Sequence, residues 1–146
     1  MTAVCRTDKL EQARALGADH VIDYTQEDFT RNNKRYDLIL AVNGYHPISD
    51  YLRALSPEGR YVVAGGSMLQ LFQAALQGRR AAKIGDQKIS IVSLVQNRQD
   101  LILMKELLES GKVVPVIDDC YPLSKTAEAF WYFEKERARG KVVITV

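Results

Sequence analysis

Within four residues, Arg6, Thr7 and Lys9 set two cations and a hydroxyl directly after the short apolar run Thr2–Cys5. That group suits a phosphate: a guanidinium forks onto two oxygens, an ammonium adds a point charge, and a hydroxyl adds a short donor. Other chemistry is poorly served. His20 and His46 form no metal-ligand spacing with a cysteine or carboxylate. The chain has no GxSxG nucleophile elbow and no Walker loop. Gly65-Gly66-Ser67 is not a GxGxxG and reads as a turn at a strand end. Asp118-Asp119 follows "VVPVI" and reads as a loop bordering a helix rather than an acid pair. Trp131, Tyr132 and Phe133 lie on an amphipathic stretch, which predicts core and interface packing rather than base stacking.

The elements that must position these residues alternate between strand and helix. Thr2–Cys5 predicts a strand. Asp8–Leu16 predicts a helix, with Leu10, Ala13 and Leu16 at helical spacing and Gly17 at its C-terminal cap. Val21–Tyr24 is the next strand. "YDLILAV", Tyr36–Val42, is a continuous apolar run and predicts a strand buried on both faces. Pro47 introduces a helix to about Leu55, "SPEG" reads as a turn, and "RYVVA", Arg60–Ala64, is another buried strand. Met68–Leu76 has helical spacing, and Lys88–Val95 is β-branched with partial alternation. Gln99–Glu109 and Ser124–Arg137 predict helices, and "KVVITV", Lys141–Val146, a last strand. Strands separated by helices imply an α/β fold with a parallel sheet and helices on both faces.

Composition sets the outer bounds. A chain of 146 residues, 47% hydrophobic and 26% charged, fits a single globular domain, 1–146, that needs no disulfide or structural metal. A net charge of +2 gives no reason to expect a nucleic-acid or membrane partner. The basic clusters Arg79-Arg80-Lys83 and Lys135-Arg137-Arg139-Lys141 read as solvated helix faces. Cys5 and Cys120 form no CxxC and fit a reducing compartment, so a cytoplasmic location is expected.

"TAVCRTDKLEQARALGADHVIDY", "YDLILAVNG", "LSPEGRYVVAGG", "GKVVPVIDDCYPLSKTAEAF" and "ARGKVVITV", in that order, resemble the C-terminal part of the medium-chain dehydrogenase/reductase superfamily. The likeness is to its zinc-type alcohol dehydrogenase-like, quinone oxidoreductase-like branch. The resemblance implies an incomplete Rossmann-like sheet: the chain opens where the family's second strand would open. The family's first strand, glycine-rich turn and GroES-like catalytic domain, with its zinc ligands, are then expected to lie outside it. A glycine-rich turn brings backbone N–H groups to the cofactor's pyrophosphate. Losing two or three such charge-assisted bonds, at roughly 1.5–3 kcal/mol each, takes a micromolar site to roughly millimolar.

With no carboxylate before Asp8, Arg6, Thr7 and Lys9 at this strand end suit a 2′-phosphate, and by similarity Lys9 and Tyr24 fall where the family grips it, which implies NADP as the cofactor, weakly bound or lost, and no zinc. Val42 and Asn43, with Gly44, match the loop beside adenine and ribose, and Gly65 and Gly66 the approach to the nicotinamide. The expected function is the cofactor-binding fragment of an NADP(H)-dependent oxidoreductase, inactive by itself and needing a separate chain for the rest. The alternative is a non-catalytic dimerisation or interaction module that keeps the fold without the nucleotide. No catalytic residue is assigned.

In a sheet ordered 3-2-1-4-5-6 the absent strand would lie between Thr2–Cys5 and Tyr36–Val42. Buried unpaired edges must be satisfied, so Thr2–Cys5 is expected to pair directly with Tyr36–Val42, or else "KVVITV" folds back or swaps into another chain. The edge strand Lys88–Val95 is expected to form a homodimer with a sheet continuous across a two-fold axis.

Overall fold

Strand β1, Thr2–Cys5, leads through a 3-10 turn at Thr7–Lys9 into helix α1, Leu10–Ala15, and returns as β2, His20–Asp23. Gly17 ends the helix in the left-handed region at φ 94°. Its N–H donates to the Arg14 carbonyl at 2.9 Å and that of Ala18 to Ala13 at 3.1 Å, a Schellman cap that only glycine enters without strain. β1 and β2 pair in parallel from Thr2↔His20 to Cys5↔Asp23. This computed structural model describes residues 1–65, 87–92, 97–135 and 138–146. The predicted helix Met68–Leu76, the basic cluster Arg79-Arg80-Lys83 and site residue Gly66 lie outside them.

The chain divides into two units, Met1–Leu94 and Val95–Val146. In the first, β3 (Tyr36–Val42), β4 (Leu55–Ala64) and β5 (Lys88–Ile91) form a parallel sheet in the order β3-β4-β5. Helix α2, Ile48–Ala54, lies between β3 and β4 in sequence and buries Ile48, Tyr51 and Ala54. They join Tyr61 and Val63 of β4 and Ile22 of β2 in one core. The "SPEG" segment is not a separate turn. It lies within β4, where the ladder jumps from Tyr36↔Leu55 to Leu38↔Arg60, so the strand absorbs Pro57 and Gly59 as an irregularity instead of ending there.

Two further expectations need correction. β1 does not pair with β3: among the described residues it bonds to β2, and β3 to β4. Neither free edge is buried enough to force pairing, since Val4 is 36% and Leu40 58% exposed, and an exposed backbone group can bond to water. Nor is β3 buried on both faces. Ala41 faces the core, whereas Leu38, Leu40 and Val42 point to the opposite side and are exposed, as the period of two requires when α2 covers one face.

The second unit contains α3, Arg98–Glu109, capped by Asn97, whose side chain accepts from the Asp100 N–H at 2.8 Å. β6 (Ile117–Pro122), α4 (Thr126–Lys135) and β7 (Lys141–Thr145) follow, with β6 and β7 parallel. "KVVITV" therefore pairs with β6. Asp118 and Asp119 sit in that strand, not in a loop. Asp118 is tolerated there because its carboxylate accepts from the Tyr132 hydroxyl at 3.0 Å and the Arg139 N–H at 2.8 Å. Of the aromatic run on α4, Tyr132 is half-buried, whereas Trp131 and Phe133 are exposed rather than core. Among the described residues no helix is long and apolar enough to cross a membrane.

Candidate nucleotide site at the strand ends

The candidate residues stand at the carboxyl ends of β1 and β2 in one parallel sheet and of β3 and β4 in another; open α/β folds bind ligands at such strand ends. Arg6 and Thr7 follow β1, and the Arg6 carbonyl accepts from the Lys9 N–H at 2.9 Å, which sets Lys9 one short turn further on. Tyr24 leaves β2 with its N–H donating to the Cys5 carbonyl at 3.1 Å, closing the ends of the two strands together. Its ring is exposed and meets the Tyr45 ring with centroids 5.1 Å apart.

Asn43 leaves β3 in the left-handed region at φ 52°, with its N–H donating to the Ala64 carbonyl at 3.3 Å. Its side-chain oxygen lies over Gly65, where a Cβ would come within 2.9 Å, and Gly65 is itself at φ 77°. The Asn43 N–H thus ties the ends of β3 and β4, and a side chain at position 65 would turn the Asn43 amide aside and strain the backbone. Val42 faces the open side of the sheet.

Charge at this edge is nearly balanced. Arg6 forks onto Asp8 with both bonds at 2.7 Å, and that pairing raises the guanidinium's already high pKa. Asp23, the last residue of β2, accepts from the Thr7 hydroxyl at 2.5 Å, the Thr25 N–H and hydroxyl at 2.9 and 2.7 Å, and Gln26 at 3.1 Å. These donors, Thr7 first, hold its carboxyl below the usual carboxylate range. Tyr45 is held by the core: the Tyr51 hydroxyl accepts from the backbone N–H groups of Tyr45 and His46 at 3.2 and 3.4 Å.

The structure therefore sets Arg6, Thr7, Lys9 and Tyr24 at the ends of β1 and β2, and Val42, Asn43 and Gly65 at the ends of β3 and β4, with the Tyr24–Tyr45 ring contact linking the two groups. Sequence reasoning missed Asp23 and Tyr45. Asp23-Tyr24-Thr25 carries an Asx-turn signature that could have marked the first, and Tyr45 stands two residues beyond Asn43 in a loop already under scrutiny. Among the described residues no group of three His, Cys, Asp or Glu side chains could hold a metal ion.

A family model described as zinc-binding dehydrogenase matches residues 16–144. The 2-methylene-furan-3-one reductase of Solanum lycopersicum is 35% identical over 99% of this chain and 33% of its own length. The chloroplastic NADPH-dependent alkenal/one oxidoreductase of Arabidopsis thaliana is 31% identical over the same shares, 99% and 33%. A crystal structure of an NAD-dependent alcohol dehydrogenase superposes with a TM-score of 0.72 at 28% identity, covering 99% of this chain and 43% of that one. The chain spans about a third of the length of these two curated relatives. It belongs to the zinc-binding dehydrogenase family and corresponds to the C-terminal cofactor-domain part of the medium-chain dehydrogenase/reductase superfamily.

Proposed function

We propose that the Met1–Leu94 unit supplies the adenosine side of an NADP(H) site belonging to an oxidoreductase, and that this chain by itself does not catalyse hydride transfer. What supports the reading is that Arg6, Thr7, Tyr24 and Asn43 stand at the carboxyl ends of parallel strands, with the Tyr24 ring against Tyr45, two residues beyond Asn43. Arg6 and Lys9 would meet a 2′-phosphate, with the Tyr24 hydroxyl as a further donor. The exposed Tyr24–Tyr45 pair offers an aromatic surface to the purine. The cofactor, when bound, supplies the hydride chemistry; these residues bind and orient its adenosine end.

Titrating NADPH into the purified chain, with NADH as control, tests this. The chain carries no GxGxxG, so binding is expected on the order of millimolar. NADPH should be preferred by no more than about tenfold, with the preference erased in Arg6→Ala and reduced in Lys9→Ala. No heat at several times that concentration would overturn the reading and leave the interaction-module alternative.

The homodimer belongs to the same proposal. β5 is the edge of its sheet, bonded among the described residues to β4, with Ile91 and Val92 each 44% exposed. Edges of this kind pair readily. Sedimentation at micromolar concentration should give twice the 16.5 kDa chain mass, and Ile91→Lys should return it to monomer. A wild-type monomer would sink the dimer.

A further inference from the structure

At the end of β3, Asn43 is followed directly by Gly44. Asn43 is exposed and leaves the strand in the left-handed region at φ 52°. Its N–H is tied to the Ala64 carbonyl, and the chain is next held at the Tyr45 N–H, which donates to the Tyr51 hydroxyl. Between those anchors, among the described residues, neither the Asn43 side-chain amide nor the Gly44 N–H makes a hydrogen bond. The other asparagines are placed differently. The Asn32 amide donates to Glu27 at 3.0 Å, and its oxygen accepts from the Lys34 N–H at 3.1 Å. Asn97 caps α3 and donates to the Asp100 carboxylate at 2.7 Å. Asn33, like Asn97, is followed by a long cationic side chain, Lys34 or Arg98, rather than by glycine.

We propose that Asn43-Gly44 is a site of spontaneous covalent modification, at which Asn43 loses its amide and becomes an aspartyl or isoaspartyl residue. Water is the only co-reactant. The Gly44 backbone nitrogen attacks Cγ of Asn43 and gives up its proton to solvent. The Cγ–Nδ2 bond breaks, Nδ2 leaves as ammonia, and a succinimide ring closes. Water then adds to one of the two ring carbonyls. Breaking the bond from the nitrogen to Cγ gives aspartate. Breaking the bond from the nitrogen to the backbone carbon gives isoaspartate, in which the chain runs through Cβ. Two features favour the attack here. Gly44 has no side chain to crowd its nitrogen, and neither reacting group must first give up a hydrogen bond. At Asn32 and Asn97 the amide has to leave its partners, and at Asn33 and Asn97 the next residue carries a Cβ. The product sets a carboxylate where Asn43 is neutral, and its isoaspartyl form lengthens the backbone between β3 and Tyr45. The inference stands independently of the nucleotide reading.

The test ages the folded full chain in buffer, with the same chain in urea alongside, and follows each asparagine by peptide mapping in a mass spectrometer. Isoaspartate is counted by labelling with an isoaspartyl methyltransferase. Asn43 should convert well ahead of Asn32, Asn33 and Asn97, to a mixture of aspartate and isoaspartate. Its rate in the folded chain should be close to its rate in urea. Gly44→Ala should abolish the conversion over the time in which half of the wild type is modified. An alanine fits this backbone, since the left-handed glycines among the described residues are Gly17, Gly65 and Gly111. Should that variant not fold, the wild-type comparison of folded and urea-treated chain decides alone. An Asn43 that keeps its amide in the folded chain while converting in urea overturns the inference, because the fold then shields it. Conversion to aspartate alone, or equally fast in folded Gly44→Ala, overturns it too, because no ring has formed. Equal rates at all the asparagines would do the same.

Discussion

Gly140→Ala is expected to detach β7 from β6. A Cβ at Gly140 would fall on the carbonyl oxygen of Val116 and lie 3.0 Å from its carbon and 3.2 Å from its Cγ1. The first two are backbone atoms and cannot rotate aside. The adjacent Lys141 N–H donates to that same Val116 carbonyl at 2.7 Å, and the preceding Arg139 N–H donates to Asp118. Moving the backbone to admit a methyl group therefore breaks the join that brings β7 alongside β6. Overpacking of this kind costs about 3 kcal/mol or more where the neighbour is rigid. The Val95–Val146 unit has little to offset it, since Ala129 is its one buried hydrophobic residue among those described. Amide exchange at Val142–Ile144 reports the effect, and protection should collapse in the variant. Gly17→Ala is the contrast: nothing lies within 4 Å of its Cβ position, so the left-handed φ of 94° alone sets the cost, about 1 kcal/mol. Wild-type protection in Gly140→Ala would refute the steric argument.

What the sequence reveals depends on whether a residue's role follows from local pattern or from a distant partner. Tyr36–Val42 is read to the residue because seven mostly apolar positions in a row leave few options. Ile117–Pro122 is missed because two aspartates resemble a loop. They survive in a strand only through tertiary structure, with Tyr132 on α4 and the Arg139 backbone as the partners of Asp118. "SPEG" carries true turn residues, but the flanking β3–β4 pairing retains them inside a strand. The placement of Arg6, Thr7, Tyr24, Asn43 and Gly65 just beyond strands is legible in the sequence, because the strands themselves are. The Arg6–Asp8 fork is not, because the pair is two residues apart around a 3-10 turn, a spacing that neither helix nor strand periodicity marks. The exposure of Leu38, Leu40 and Val42 is the same lesson reversed. An apolar run marks a strand but does not say how many of its faces are covered.

The core beneath the site should respond in opposite directions to two changes at one residue. Tyr61 is 0% exposed and its ring stacks on Tyr51 with centroids 4.7 Å apart. Its hydroxyl is buried with no hydrogen-bond partner among the described residues, and burial pushes the phenol up to about 12. Tyr61→Ala leaves an aromatic-sized cavity and should cost about 3–5 kcal/mol. Tyr61→Phe keeps the stack and removes an unsatisfied hydroxyl, so it should be neutral or stabilising by up to about 1 kcal/mol. The pH dependence separates burial from packing. With its folded pKa raised, Tyr61 contributes stability that is fully present below the unfolded value near 10 and is lost as pH rises through about 12. Urea midpoints should therefore fall less steeply above pH ~10 in Tyr61→Phe than in wild type, and equal slopes would refute a buried, protonated phenol. The same residue reaches the strand ends. Tyr61 braces Tyr51, the Tyr51 hydroxyl holds the backbone of Tyr45, and Tyr45 faces Tyr24. Tyr61→Ala should accordingly weaken nucleotide binding even where the domain remains folded, whereas Tyr61→Phe should bind as wild type does. Equal binding in both variants would mean that the aromatic pair is held in place by something other than the core below it.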